Sequence, residues 1–262
     1  MKLCVCVSND NKNISPLETI DAIYNSGFRN VFIQWYDTEF EVSPIEQLKY
    51  IKEKGLNVLF AHLGYKDLNE IWNDSDKGEE LVKKYLRNID ECYQNNIPMV
   101  VMHLVTGNKY INMTSIGLER FKTICEYANG LGIKVAFENT KLKGYLEFIL
   151  SNIDYSNVGV CFDSGHYHCH FKDEFDFDKF KNRIFCVHIH DNFGESDEHL
   201  IPFDGNLEYN KVIEGLKRAN YNGDMTLEIC YMNDYLDISP LEFYKKGYKI
   251  GSKLASMYEG ND

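Results

Sequence analysis

No stretch of this sequence approaches the roughly 18 consecutive apolar residues that cross a bilayer. The opening Met1-Lys2-Leu3-Cys4-Val5-Cys6-Val7-Ser8-Asn9 holds an apolar run of only about five residues, too short for the h-region of a secretory signal. The eight cysteines (4, 6, 92, 125, 161, 169, 186 and 230) form no CxxC pair, and most sit inside apolar runs. They read as reduced, buried small hydrophobes rather than a disulfide framework. The expected location is therefore cytoplasmic, with no membrane partner. Positive charge is scarce too: 28 Lys+Arg stand against 40 Asp+Glu, a formal net charge of −12. So acidic a surface repels phosphate backbones and anionic lipid unless positive charge is gathered locally or metals supply it. Linkers, low-complexity tracts and short-period repeats are missing as well.

What remains is an ordinary globular chain of 262 residues, 44% apolar and 26% charged. Short β-branched runs alternate with segments of helical periodicity. The spacing predicts strands at Leu3–Ser8, Asn30–Trp35, Asn57–Leu63, Pro98–Val105, Lys134–Asn139, Val158–Asp163, Ile184–His190 and Met225–Cys230. Ile45, Leu48 and Ile51 mark one intervening helix; Leu81, Val82, Tyr85, Leu86 and Ile89 mark another; Val212, Ile213 and Leu216 a third. Ser15-Pro16, Ser43-Pro44 and Ser239-Pro240 each place a cap before a first-turn proline, and Gly27, Gly55 and Gly132 fall where helices hand over to strands. Eight strands alternating with about eight helices predict a parallel sheet, and that count suits a single (β/α)8 TIM barrel domain spanning 1–262. A doubly wound open sheet fits less well, because no GxGxxG follows the first strand.

In such a barrel the active site lies at the C-terminal ends of the strands. His62 ends the third strand, His103 the fourth and Glu138-Asn139 the fifth. Asp163-Ser164-Gly165-His166 ends the sixth. The seventh carries His188, His190 and Asp191, followed by Asp197-Glu198-His199, and the eighth ends in Glu228. Six successive strands thus deliver a His, Asp or Glu to one rim. Gathered there without a compensating cation, these groups would repel one another or be desolvated at a cost. A divalent metal removes that difficulty, and carboxylate and imidazole donors suit Mn2+, Mg2+, Co2+, Fe2+ or Zn2+.

The segments Ala136-Phe137-Glu138-Asn139-Thr140, Gly159-Val160-Cys161-Phe162-Asp163-Ser164-Gly165-His166, His188-Ile189-His190-Asp191-Asn192, Asp197-Glu198-His199 and Leu227-Glu228-Ile229 carry a resemblance over nearly the whole chain. The sequence resembles the xylose isomerase-like TIM barrel superfamily: sugar (or sugar phosphate) isomerases and epimerases, with the endonuclease IV type of apurinic endonuclease. For the sugar branch the resemblance implies one cation held by Glu138, Asp163, His188 and Glu228, with Glu138 and Glu228 also serving as acid and base through a metal-stabilised enediolate. For the endonuclease branch it implies three zinc ions held by His62, His103, Glu138, Asp163, His166, His188, Asp197, His199 and Glu228. All nine residue types are present, so ligand counting leaves both open. In a mononuclear site, His62, His103, His166, His190, Asp197 and His199 would bind further metal or substrate.

Charge favours the sugar. The windows 9–13, 36–43, 64–77, 106–113, 141–143, 167–178 and 192–206 after the strands hold 16 Asp+Glu against 7 Lys+Arg. A duplex binder needs cations on this face. The sequence also departs from the endonuclease pattern. Leu104-Val105-Thr106-Gly107 replaces its Pro and second His after the strand-4 His, and His190 stands where it has Asn. Nucleic acid is therefore not the expected partner. Loop 192–206 and segment 231–239 lack Lys and Arg, which points to an unphosphorylated sugar or polyol-like substrate, with Lys109, Lys141 and Lys143 the nearest alternatives for a phosphate. Trp35, Tyr65 and Phe193 are the candidate apolar wall for a sugar ring. Asn139 and Asn192 adjoin ligands as candidate supporting donors, while His168 and His170 read as loop residues. A non-catalytic sugar- or metal-binding barrel is the reading outside enzymes. Members of the superfamily often dimerise or tetramerise, so a homo-oligomer is an expectation too.

Overall fold

The computed structural model describes residues 1–8, 14–36, 42–172 and 174–260; segments 9–13 and 37–41, whose charge is discussed above, lie outside them. The eight strands are β1 (Leu3–Val7), β2 (Asn30–Trp35), β3 (Asn57–Leu63), β4 (Met99–Met102), β5 (Lys134–Glu138), β6 (Val158–Asp163), β7 (Ile184–His188) and β8 (Met225–Leu227). Each from β1 to β6 pairs in parallel with the next, and β1 also pairs with β8. The ring closes between β7 and β8 at one parallel bridge. There Ile189 N–H donates to the Thr226 carbonyl at 2.8 Å and Glu228 N–H to the Ile189 carbonyl at 3.0 Å. This is the predicted (β/α)8 barrel.

The helices are α1 (Pro16–Ser26), α2 (Pro44–Glu53), α3 (Asp76–Gln94), α4 (Ser115–Gly130), α5 (Tyr145–Asn152), α6 (Ser164–His166), α7 (Tyr209–Arg218) and α8 (Pro240–Glu259). Ser15, Ser43 and Ser239 close full capping boxes with Glu18, Glu46 and Glu242, with proline opening each helix. Each box satisfies two N–H groups that a helix start otherwise leaves orphaned. Gly27 ends α1 at φ 114°, which a side chain would resist. The helix expected after β6 is reduced to the single turn α6, followed by a π turn over Tyr167–Phe171 and a 3-10 turn over Phe177–Phe180. Among the described residues no helix is long and apolar enough to cross a membrane.

Strand alternation sorts the core into two layers. Cys4, Cys6, Phe32, Phe60, Met99, Val101, Ala136, Cys161 and Cys186 point inward and fill the barrel. Val5, Val31, Ile33, Ala61, Val100, Val135, Phe137, Val160, Phe162, Val187 and Leu227 point outward against the helices. All eight cysteines are buried and free, as expected. Five strands (β1, β4, β5, β7 and β8) stop short of their predicted ends. Beyond β4 the Leu104 carbonyl accepts the Trp72 indole N–H at 2.8 Å, and Thr106 N–H donates to Asn69 Oδ1 at 2.9 Å. The splayed ends make the floor of a cavity.

Candidate functional site

The cavity at the C-terminal mouth of the barrel has a volume of about 300 Å3 and is lined by Cys6, Gln34, Tyr36, His62, Tyr65, His103, Glu138, His166, Asp197, His199, Glu228, Cys230 and Met232. A larger groove of about 660 Å3 runs between α1 and the start of α8, but its acids are committed. Glu18 accepts the Ser15 N–H, and Asp21 meets Tyr50 and Lys54.

Inward parity carries the candidate residues to the mouth. Glu138, one step past Phe137, is the hub. Its carboxylate lies 3.1 Å from His62 Nε2, 3.4 Å from His103 Nε2, 3.0 Å from His166 Nδ1 and 3.2 Å from His188 Nδ1. The same His188 Nδ1 is 3.3 Å from Glu228 Oε2 and 3.9 Å from Asp163 Oδ2. Asp163 caps α6 by accepting the His166 N–H at 2.6 Å and faces His190 Nε2 at 3.1 Å. Asp197 Oδ2 stands 3.2 Å from both His166 Nε2 and His199 Nε2.

Burial alone would raise the Glu138 carboxyl, but His103, His188 and His166 hold it well below the usual carboxylate range. Burial would likewise raise Asp163 and Asp197, but nearby imidazoles override it and hold both carboxyls lowered. The converse holds for His166, His188 and His199, where desolvation presses downward and the facing carboxylates lift them well above an ordinary imidazole. His103 is the exception: burial prevails over Glu138 and lowers it.

The donor geometry suits a cation. The Glu228 carbonyl, 2.9 Å from His199 Nδ1, can only accept, so Nδ1 carries the proton and Nε2 turns to Asp197. The Leu63 carbonyl does the same for His62 at 3.2 Å, turning Nε2 to Glu138. In neutral histidines those Nε2 lone pairs would point at carboxylate oxygens, a repulsion that a proton or a metal ion removes. A backbone carbonyl fixing one ring nitrogen while the other meets a ligand site is the supporting arrangement typical of metal histidines. His188 Nδ1 meets only carboxylates, and its buried Nε2 has no hydrogen-bond partner. His62, His103 and Glu138 present donor atoms within 4.8 Å of one another, and so do His62, His188 and Glu228, and Glu138, Asp163 and His166.

The site thus brings together His62, His103, Glu138, Asp163, His166, His188, Asp197, His199 and Glu228. His190 does not line the cavity and stands behind Asp163, stacked on His199 at 4.1 Å, but it presents a donor atom within 4.8 Å of donors on His199 and Glu228. Of the expected aromatic wall only Tyr65 lines the cavity, stacked on His103 at 4.4 Å. Trp35 is a correction. It packs in the outer layer and donates its indole N–H to Glu91 on α3 at 2.8 Å, because residue 35 shares the outward parity of Val31 and Ile33. Phe193 is half exposed on the rim and does not line the cavity. Its N–H donates to the Glu198 carboxylate. His168 lies apart, 2.6 Å from Asn206 Oδ1. Lys143 pairs with Glu174 at 2.5 Å.

Sequence reasoning missed Gln34 and Tyr36, which the parity of Phe32 and the end of β2 place at the mouth. Asn139 and Asn192 brace the site as the supporting donors their positions suggest, but the bracing role of Asp191 was missed. Asn139 grips the backbone of Asp163 from both sides, accepting its N–H at 2.7 Å and donating to its carbonyl at 2.9 Å. Asp191 accepts the N–H groups of Asn192, Phe203 and Leu207 at 2.8, 2.8 and 3.1 Å, pinning the loop that carries Asp197 and His199. Asn192 donates to the Gly165 carbonyl at 3.1 Å.

With this geometry in place, the chain matches the xylose isomerase-like TIM barrel family over residues 20–251 and belongs to it. It is similar to an inosose isomerase of Bacillus licheniformis, 22% identical across 98% of this chain and 99% of that protein. It is also 27% identical to an uncharacterized protein of Sinorhizobium fredii, over 69% of this chain and 61% of that protein's length. Among solved structures, a D-tagatose 3-epimerase-like protein superposes with TM-score 0.76 at 25% identity, covering 100% of this chain and 99% of that one. The IOLI protein with a bound zinc atom superposes with TM-score 0.79 at 16% identity, covering 98% and 99%.

Proposed function

We propose that the protein is a divalent-metal-dependent sugar isomerase or epimerase that moves a proton next to a substrate carbonyl. The observation that carries this reading is the convergence of Glu138 and Glu228 on one nitrogen, His188 Nδ1, at 3.2 and 3.3 Å, in a cavity whose described lining contains no Lys or Arg. Glu138, Asp163, His188 and Glu228 would hold the ion. When bound, it would supply Lewis-acid polarisation of the carbonyl and offset the negative charge that develops. The relatives named as isomerases and epimerases support the same class.

The chain's own residues divide the work. Glu138 is deep and held ionised by the surrounding imidazoles. Glu228 opens further onto the cavity. Glu228 therefore takes the proton from the carbon beside the carbonyl. For epimerisation Glu138 draws a proton from the protonated His166 imidazole 3.0 Å away and passes it to the opposite face; for aldose–ketose isomerisation a single glutamate does both. His166 and His199 orient substrate oxygens, and Tyr65 and Tyr36 offer ring faces at one wall. The acidic, cation-free lining suits an unphosphorylated sugar or polyol-like substrate. The test is proton exchange between a panel of ketoses and deuterated water. Glu138→Gln and Glu228→Gln should each abolish exchange, and full exchange by either variant would remove its acid/base role.

A second reading has one observation in its favour. The nine residues form overlapping donor groups that share Glu138 and Glu228, with Asp197 between His166 and His199, and they are the residue types of a three-zinc phosphodiesterase acting on abasic DNA. Three zinc ions per chain with cleavage of an abasic duplex would support it. One ion per chain with ketose exchange supports the sugar.

A further inference from the structure

The interior layer beneath this site is rich in sulfur: Cys4, Cys6, Cys161, Cys186 and Met99 share it. Cys161 stands out by position. It is the register partner of Glu138 on β5 and of Cys186 on β7, and it faces inward two residues before Asp163. Its side chain is fully buried. The Cys161 Sγ, a Glu138 carboxylate oxygen and a His188 ring nitrogen lie within 4.8 Å of one another. Nδ1 of that imidazole meets only carboxylates, and its buried Nε2 has no hydrogen-bond partner, so the group borders a place where a polar atom is aimed but unmatched. Phe32 and Phe60 stack against the His188 ring at 4.9 and 5.7 Å and keep it in place. Any ion seated between Glu138 and His188 would therefore meet a sulfur from below as well as oxygens and nitrogens from above.

We infer that Cys161 is a soft ligand on the floor of the metal site and tunes it toward thiophilic cations such as Zn2+, Co2+ or Cd2+ over Mg2+ and Mn2+. Thiolate donors select the softer divalent ions, whereas carboxylate and water sets serve Mg2+ and Mn2+. On binding, the S–H bond breaks, the proton leaves to solvent and the sulfur lone pair forms the bond to the ion, with no change of oxidation state. This inference rests on the metal-site reading above. If Cys161 only packed against Cys186, the site's preference would be set by its oxygen and nitrogen donors alone.

The experiment is an anaerobic titration of the chelator-stripped full-length protein with cobalt(II) chloride. Visible d–d bands report occupation of the site, and a sulfur-to-cobalt charge-transfer band in the near ultraviolet reports the thiolate. Both should rise together to the same endpoint. Cys161→Ala and Cys161→Ser should keep the d–d bands and lose the charge-transfer band, and Cys186→Ser should keep both. In competition, Cys161→Ser should lower the Cd2+ to Mn2+ affinity ratio by about tenfold or more, the scale on which ligand-set changes act. Circular dichroism checks the fold of each variant, and the wild-type spectrum needs no variant at all. Visible bands without a charge-transfer band, or a band that survives Cys161→Ala, overturn the thiol assignment and leave the metal site standing. Failure to bind cobalt at all overturns both.

Discussion

Gly165 offers a sharp test of how the acid end of the site is held. A Cβ built on it would lie 1.9 Å from His190 Cε1 and 2.6 Å from both ring nitrogens. Gly165 sits within α6 and has no positive φ, so alanine is conformationally welcome there and any penalty is steric. The neighbour has nowhere easy to go. His190 is fully buried, meets Asp163 at 3.1 Å, stacks on His199 at 4.1 Å, and its backbone is tied to Ser164 Oγ by an N–H bond of 2.9 Å. Reaching an ordinary 3.4 Å contact from 1.9 Å requires a displacement of about 1.5 Å, enough to break the contact with Asp163.

The magnitude follows from three terms. Overpacking a close-packed interior costs about 1–3 kcal/mol, and losing a hydrogen bond to a charged group about 1.5–3 kcal/mol. The narrower unfolded ensemble of alanine returns about 0.5–1 kcal/mol. Gly165→Ala should therefore destabilise by about 3–4 kcal/mol, which at about 2–4 °C per kcal/mol lowers Tm by roughly 6–15 °C. Metal retention should fall as well, since Asp163 loses the imidazole that orients it. Gly130→Ala is the control, because it closes α4 with nothing within 4 Å of its Cβ. It should hold or slightly raise Tm. Calorimetry and metal content on both variants decide the matter. A Gly165→Ala protein that melts within about 2 °C of wild type and keeps its metal would refute the argument that His190 positions Asp163.

Two further perturbations follow from the same contacts. Arg120 is buried on α4 and clamps the segment after β3, donating to the carbonyls of Ile71 at 3.1 Å and Ser75 at 3.2 Å, to the Asn73 carbonyl, and to Glu79 at 2.9 Å. Arg120→Met strands those acceptors and should cost about 3–5 kcal/mol by denaturant unfolding, where a loss below about 1 kcal/mol would show the clamp to be idle. Stripping metal should matter more at higher pH. His166, His188 and His199 are raised in the folded protein, so their contribution is complete below an ordinary imidazole pKa of about 6.5 and is lost as the pH climbs through the raised values. Glu138, Asp163 and Asp197 are lowered, so theirs is present above about pH 4 and lost as the pH falls. The stripped protein is accordingly steadiest between about pH 4.5 and 6.5, while metal affinity grows with pH as ligands shed protons. The Tm gap between loaded and stripped protein should widen from about pH 6 to about pH 8; a constant gap would count against the coupling.

One rule, the two-residue alternation of a strand, made most of this architecture legible in sequence and also explains where the reading slipped. Continuous apolar strands alternating with capped helices identify a parallel barrel, because both strand faces are buried and only crossovers can link them. The same alternation continues past each strand end. Cys161 and Asp163, Ala136 and Glu138, Cys186 and His188 are successive inward positions, so the residue after the last inward apolar one is a site residue. Trp35 offers a ring near a strand end, but the alternation that sends Ile33 outward sends Trp35 with it and turns Gln34 to the mouth. Where the chain leaves regular pairing, periodicity carries no information. Asp191 organises its loop through three backbone N–H groups, and Arg120 reaches across to carbonyls about fifty positions away, contacts that only the closed barrel creates. Cys161 escaped notice for a different reason. A cysteine in an apolar run reads as a small hydrophobe, and only its register beside Glu138, under an imidazole whose Nε2 has no hydrogen-bond partner, turns that filler into a candidate donor.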